Sequence, residues 1–406
     1  MKKTFVNESK YLNNREYIEE YDTSMLTSKP QYEVVKNGFI LPTSIEMKTR
    51  GGVVDSNRNY VQYSGNKCAL PFINISKSYE FNEFNIEHQD EDVIFLGYYL
   101  LHWGHMLWDC IGKFWILNIS QFSNYKVCFL PYTNETLKGN FLRLLELSGI
   151  DESRMVEIDQ PSLFRTIIVP ESSHDSGKWL HSEVYKTIFD TIVANSHYDR
   201  INVPSKVYFS RENFGKPEWG EEEISLNFEK NGFEVIYPEK ITLDEQIAIL
   251  QRADVVVSEN SSICLNCVFA REGLKWIVIN KYSAIHKNFS EFHYMSKINT
   301  VFIDAYSPYL DFYGDKIGTK PYLISFNRNM QNYFKDNNMS FEKTSFGERL
   351  RNICVYLLAC IKEPFRTIFH SLLIKFAEWI KKYDFLYRFL KFTESLVHSL
   401  ITKRRK

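Results

Sequence analysis

Between Lys206 and Asn280 the chain alternates short, apolar, β-branched runs with helical patterns, and few folds accommodate that alternation. The runs KVYFS (206–210), FEVIY (233–237), DVVVS (254–258) and KWIVIN (275–280) predict four buried strands. Between them, an acidic stretch predicts a helix from near Gly220, and ICLNCVFA (263–270) predicts another. Thr242 and Glu245 have the spacing of a capping box, in which each side chain satisfies an exposed amide of the first turn, so a helix is expected from Leu243. Apolar strands separated by helices build a parallel sheet covered on both faces. Ligands of such sheets bind beyond the carboxyl ends of the strands. Arg211, Glu239 and the turn Glu259-Asn260-Ser261-Ser262 all fall there.

The chemistry at these strand ends is complementary to a nucleotide diphosphate. Arg211 offers a planar fork of donors for phosphate oxygens, and Lys216 adds a point charge from the following loop. Ser261 and Ser262 stand where a helix begins, so unpaired amides and the helix dipole favour an anion. Glu239 or Glu259 can accept from ribose hydroxyls. Each residue also has a plain structural reading: Arg211 paired with Glu212 or with the acids at 221–223, and Ser261 as an ordinary cap. Their recurrence in three consecutive units favours a site.

At 406 residues the chain exceeds the size at which one core keeps growing, so two domains are expected. The boundaries are drawn at 1–195, 196–340 and 341–406. There is no GxGxxG or GxxxxGKS sequence, which argues against standard dehydrogenases and P-loop enzymes. MKKTFVNESKYLNN lacks the apolar stretch of a signal peptide. The seven cysteines are scattered, and Cys264 and Cys267 read as packing inside a helix, with no second pair to make a zinc site. Reduced thiols in a cytoplasmic compartment are the simplest account.

The near-zero net charge conceals an asymmetry. Residues 347–406 carry thirteen Lys and Arg against five acids, a net of +8, which leaves 36 basic against 45 acidic residues for 1–346. The tail sequence FHSLLIKFAEWIKKYDFLYRFLKF sets Leu372, Phe376, Trp379, Ile380, Tyr383, Tyr387 and Leu390 at helical spacings with basic residues between. Its longest apolar run, 353–361, is too short to span a bilayer. A basic amphipathic helix rich in aromatic residues reads as an anchor on an anionic membrane surface, with a helix packed against the body as the alternative. No nucleic-acid recognition motif accompanies the charge.

In the amino-terminal half, residues 1–90 look irregular and β-prone. EDVIFLGYYL, KVCFLPY and TIIVPES predict strands, with a helix over FLRLLELSGI and another after Gly104, a second alternating unit. His102, His105 and Asp109 share one helical face, and His105 with Asp109 suits a base or a hydroxyl-binding pair. The same three residues have a metal-binding face but no further ligand that the sequence identifies. Asp90-Glu91-Asp92 matches the Asp-x-Asp pattern of metal-dependent transferases, but it precedes its predicted strand and reads as a solvated turn.

GGVVD (51–55), LHWGHMLWD (101–109), IIVPES (167–172), VYFSR (207–211), GFEVIYPEKITLDEQIAIL (232–250) and DVVVSENSSICLN (254–266) occur in that order. In these residues the chain resembles bacterial members of glycosyltransferase family 61, over roughly residues 50–305. The resemblance implies an α/β fold of the GT-B type, two Rossmann-like domains facing a cleft, here followed by C-terminal amphipathic helices. It implies inverting, metal-independent transfer of a sugar from a nucleotide-diphosphate donor, with no cofactor, to a capsular or exopolysaccharide acceptor. Carried over, Arg211 would hold the diphosphate, Glu239 and Gln246 would border the donor, and His105 with Asp109 would face the acceptor. Family members commonly carry a Gly, often near a His, where this chain reads Glu259-Asn260-Ser261-Ser262. The expectation is a cytoplasmic enzyme, peripheral on the inner face of the plasma membrane, acting on a lipid-linked glycan. A catalytically silent sugar- or nucleotide-binding scaffold is the alternative.

Overall fold

The structure is a computed structural model. It describes residues 3–4, 10–13, 20–21, 28–43, 51–65, 80–81, 86–131, 136–176, 178, 180–213, 218–283, 287–312 and 321–362. Lys216 and the proposed tail helix after residue 362 lie outside the described residues.

Two sheets organise the chain. The amino-terminal sheet contains β1 (Tyr32–Leu41), β2 (Gly52–Val54), β3 (Glu87–Tyr99), β4 (Lys126–Pro131), β5 (Met155–Val156) and β6 (Ser162–Pro170), in the order β2-β1-β6-β3-β4-β5. The second contains β7 (Lys206–Phe209), β8 (Glu234–Ile236), β9 (Val255–Glu259), β10 (Lys275–Asn280) and β11 (Asn299–Asp304), in the order β8-β7-β9-β10-β11. All pairs of the second sheet are parallel, as the apolar runs predict. Apart from the edge strand β8, its strands are largely buried on both faces, which is why they read as continuous rather than alternating hydrophobic segments. The helices are α1 (Asn140–Leu147), α2 (Glu183–Asn195), α3 (Glu221–Glu229), α4 (Leu243–Arg252), α5 (Lys287–Met295) and α6 (Arg328–Asp336). The capping box of Thr242 and Glu245 starts α4 as expected.

Two sequence expectations need correction. The amino-terminal sheet is mixed: β6, β3, β4 and β5 run parallel, but the ten-residue β1 pairs antiparallel with β6 and β2. A purely Rossmann-like sheet is therefore not what residues 28–170 build. Asp90, Glu91 and Asp92 lie inside β3, not in a turn before it. Arg165 on the neighbouring β6 reaches Asp90 at 3.2 Å and Asp92 at 3.0 Å, holding the acidic stretch in the ladder beside a register shift. ICLNCVFA is helical as expected, coiled tightly as a 3-10 helix, Ser262–Phe269.

One apolar cluster takes side chains from both sheets, among them Ile94 and Ile168 from the first and Val207, Val256 and Trp276 from the second. The two halves also exchange polar contacts. Arg143 on α1 grips Asp244 on α4 with two hydrogen bonds of 2.7 and 3.0 Å. Near the amino terminus, Tyr11 packs edge-on against Tyr333, and the Asn13 amide donates to Asp304 at the end of β11. Residues 10–13 thus lie against the second sheet.

Gly220 is a fixed point of this architecture. The short strand Glu218–Trp219 pairs in parallel with Tyr322–Leu323, and the chain then turns at once into α3. Gly220 makes that turn with φ of +93°, and a Cβ placed on it would lie 1.9 Å from the Ile324 carbonyl oxygen. Neither the backbone angle nor the space admits a side chain. Gly220→Ala is expected to lower stability by ~2 kcal/mol or more, the scale of a strained backbone position. Urea unfolding reads this as a lower midpoint, and an unchanged midpoint would contradict the close approach.

Candidate functional site

The first wall of the site follows the carboxyl ends of the parallel strands β3 and β6. After β3, Trp103–His105 form one α-turn, Met106–Cys110 widen into a π-turn, and Ile111–Asn118 tighten into a 3-10 helix. Single π-turns of this kind are frequent at functional sites. Here the turn brings His105 Nδ1 to 2.7 Å from Asp109 Oδ2. The other oxygen, Oδ1, accepts a 2.6 Å hydrogen bond from the Ser176 hydroxyl, which follows β6. With a donor at each oxygen, Asp109 is set up as a carboxylate, so the proton of His105 sits on Nδ1 and Nε2 is left with its lone pair. The Asp109 side chain is 2% exposed and that of His105 28%, so the imidazole reaches solvent while its orienting acid does not. That is the arrangement of a general base backed by a buried carboxylate. The His102 ring lies beside it at 4.7 Å between centroids.

The second wall is the carboxyl edge of the parallel sheet. Because β7, β9 and β10 are adjacent, the residues that end them, Arg211, Glu259 and Lys281, converge. The strand Glu218–Trp219 adds Glu218, and the first residue of α3 adds Glu221. Lys281 Nζ bonds Glu218 and lies 3.6 Å from Glu259, while Arg211 Nε lies 3.4 Å from Glu218. The Arg211 amide donates to Glu221 at 2.8 Å. Burial pushes the Glu259 carboxyl well above the usual range, helped by the negative charges of Glu218 and Glu221. Burial likewise raises Glu221 to about 7, with the Arg211 amide opposing and Glu218 adding to the rise. For Glu218 burial is outweighed by Lys281, Glu259 and Arg211, leaving it at about 2. Glu218, Glu221 and Glu259 are the group among the described residues whose oxygens could share a metal ion, lying within 4.8 Å of one another. The Lys281 ammonium already supplies the counter-charge between two of them.

The other sequence-predicted residues take varied places. Glu239 is exposed on the short turn Pro238–Lys240. Gln246 is buried on α4; its carbonyl accepts from Asn266 at 2.7 Å and its amide donates to the Pro238 carbonyl at 3.0 Å. Asn260 donates to Asn280, which donates to Asp304, in a ladder across the strand ends. Ser261 is buried at the start of the 3-10 helix, and its side chain makes no capping bond. Ser262 meets the first wall: a Cβ built on Gly104 would lie 3.6 Å from the Ser262 Cβ and 3.3 Å from Leu265. Beside this contact, the Trp103 indole donates to Asn266 at 2.6 Å. The structure therefore joins Trp103, Asn266 and Gln246 into a brace between the walls. Cys264 and Cys267 are buried in the shared core.

Sequence reasoning missed Ser176, Glu218 and Lys281, and offered Glu221 only as a structural partner of Arg211, whose amide it does accept from. Lys281 directly follows KWIVIN, so the strand-end rule that selected Arg211 selects it too. Glu218 and Ser176 arrive through long-range pairings that leave no local pattern.

Residues 103–277 match the model of the family described as Glycosyltransferase 61, a span that takes in His105, Asp109 and Ser176 of the first wall and Arg211, Glu218, Glu221 and Glu259 of the second, and ends before Lys281. That match supports a glycosyltransferase. No curated protein matches the chain.

The buried carboxyls set a pH dependence. Glu221 has a native pKa of about 7 against an ordinary 4.5, so its contribution to stability is fully present below 4.5 and is lost as pH rises through 7. Wild-type stability should therefore fall across that window. Glu221→Gln keeps an acceptor for the Arg211 amide and should flatten the fall; chemical denaturation at several pH values measures both slopes, and equal slopes would refute the assignment.

Proposed function

We propose that the chain is an inverting, metal-independent glycosyltransferase that moves a sugar from a nucleotide-diphosphate donor to a growing capsular or exopolysaccharide glycan, lipid-linked at the membrane. The observation that carries this reading is the oriented pair His105–Asp109 on one wall, within the same family match as Arg211 on the other. In the proposed reaction His105 Nε2 takes the proton of an acceptor hydroxyl. The hydroxyl oxygen bonds to the anomeric carbon as the bond to the diphosphate breaks, and the diphosphate leaves with the electron pair. Attack opposite the leaving group inverts the anomeric centre. Arg211 and the amides at Ser261 and Ser262 would stabilise the departing charge, with Lys281 as a further cation. These cations would do the work that metal-dependent transferases give to an ion.

The membrane part of the proposal rests on the tail. Residues 341–349 dock on α3: the Thr344 amide and Arg349 both bond Glu223, and Phe341 packs with Phe326 and Phe334. Beyond this clamp the helix 346–362 exposes Phe346, Leu350, Leu358 and Ile361 at helical spacing. No helix among the described residues is long and apolar enough to cross a membrane. An apolar stripe followed by a basic segment suits the surface of an anionic, cytoplasmic leaflet. Removing residues 363–406 leaves the docked part in place and should abolish pelleting with anionic liposomes; unchanged pelleting would sink the anchor.

The site assignment is tested with a thermal-shift panel of nucleotide sugars, in which a ligand at 100 times its Kd stabilises by about 2.7 kcal/mol. Arg211→Ala should lose the shift given by the donor. His105→Ala and Asp109→Asn should keep it while turnover falls by about 100-fold or more, the contribution of a general base. Wild-type turnover in all three variants would reject the site. A catalytically silent scaffold is the second reading, favoured by the Glu259 carboxyl in a turn otherwise suited to phosphate; donor binding by wild type without transfer or hydrolysis would select it.

A further inference from the structure

The His105–Asp109 pair is held by an element that the proposed chemistry does not itself use. After β6, His174–Asp175 pairs antiparallel with Leu180–His181 in a small hairpin. This hairpin is fastened to the 103–118 segment on both sides of Asp109. His174 Nδ1 lies 2.9 Å from the Trp108 carbonyl, which only accepts, so this nitrogen carries a proton. The Ser173 amide and hydroxyl donate to the Gly112 carbonyl at 2.8 and 2.7 Å. Between these two fastenings Ser176 delivers its hydroxyl to Asp109 Oδ1.

The far side of the hairpin is anchored on the other half of the molecule. His181 Nδ1 is 2.8 Å, and His174 Nε2 3.5 Å, from Oε1 of Glu291 on α5. All three side chains are buried, and the His174 ring stacks on Tyr185 at 4.6 Å. Burial pushes the Glu291 carboxyl up, but His174 and His181 outweigh it and hold it below the usual range. A buried carboxylate shared by two imidazoles is costly to break, because removing one partner strands a charge. The hairpin is therefore a fixed support rather than a loose loop.

We propose that Ser176 is the positioning residue of the site: its hydroxyl locks the Asp109 carboxylate in the orientation that accepts the His105 Nδ1 proton, and the hairpin anchored on Glu291 locks Ser176. The physical need is specific. The terminal torsion of an Asp side chain is broad, so one hydrogen bond to one oxygen leaves the carboxylate free to swing. A donor on the second oxygen removes that freedom. It also satisfies an oxygen that would otherwise be buried without a partner. The tautomer of a histidine is set by the bond its Nδ1 makes, so the swing of Asp109 decides whether Nε2 is available as a base. The catalytic meaning of this support rests on the proposed transferase reading.

The test reads the tautomer directly and needs no sugar donor. Full-length protein labelled with 15N-histidine is observed by NMR above the pH at which the ring is neutral, with the His105 signals identified by their loss in His105→Gln. Wild type should show His105 protonated on Nδ1. Ser176→Ala should move a substantial fraction to the Nε2-protonated form, Ser176→Thr should restore the wild-type spectrum, and Glu291→Gln should act like Ser176→Ala although Ser176 is intact. A folded Ser176→Ala with the wild-type tautomer would overturn the proposal. Should that variant fail to fold, Ser176→Cys, which keeps the size and weakens the donor, gives the same comparison. A wild type with the ordered tautomer but no transfer activity would overturn the transferase reading alone.

Discussion

The close approach of Gly104 to Ser262 and Leu265 is the contact on which the rest of the site depends. A methyl group there would already press Leu265 at 3.3 Å. Next to it, Trp103 is tied to Asn266, and Asn266 to Gln246. His105 is the next residue on one strand end, and Ser261 lies one residue before the contact on the other. The glycine lets Ser262 and Leu265 of the second half pack against the first wall beside the oriented imidazole of His105. The shared apolar core and the Arg143–Asp244 fork hold the same geometry from further out. What the sequence presents as two alternating units is, in the described residues, two sheets with a common interior.

The parallel sheet was legible because its signals are local. Four apolar runs, one capping box and the rule that ligands sit beyond carboxyl ends placed β7, β9, β10 and α4, and with them Arg211 and Glu259. The spacing of His105 and Asp109 was legible for the same reason, although the π-turn that joins them was not. An i, i+4 pair is the same pair in either kind of helix until the coordinates are seen. The remaining parts depend on partners distant in sequence. Asp90 and Asp92 look like a turn until Arg165 appears on the next strand. Glu218 has no signature of its own; it enters the site because Tyr322–Leu323 pairs beside it and Gly220 turns the chain away. Ser176 is one serine among many until the hairpin is stapled to Gly112 and Trp108.

The turn Glu259-Asn260-Ser261-Ser262 looks different once its neighbours are known. Read alone, it is a polar turn suited to phosphate. In place, Glu259 brings a third carboxyl to a cluster that contains, among the described residues, two cations, Arg211 and Lys281. Both cations already face Glu218, the most acidic of the three. On the proposed reading, an incoming diphosphate competes with Glu218 for Arg211 and Lys281, so donor affinity is the difference between two anions and not the strength of one contact. Protons held on Glu259 and Glu221 tilt that competition toward the donor, since each removes a charge that would repel it. The absence of a glycine in this turn and the presence of these carboxyls are then one feature. On the proposed reading, where a backbone cannot close on the phosphates, the anion is held by side-chain cations for which the surrounding acids compete.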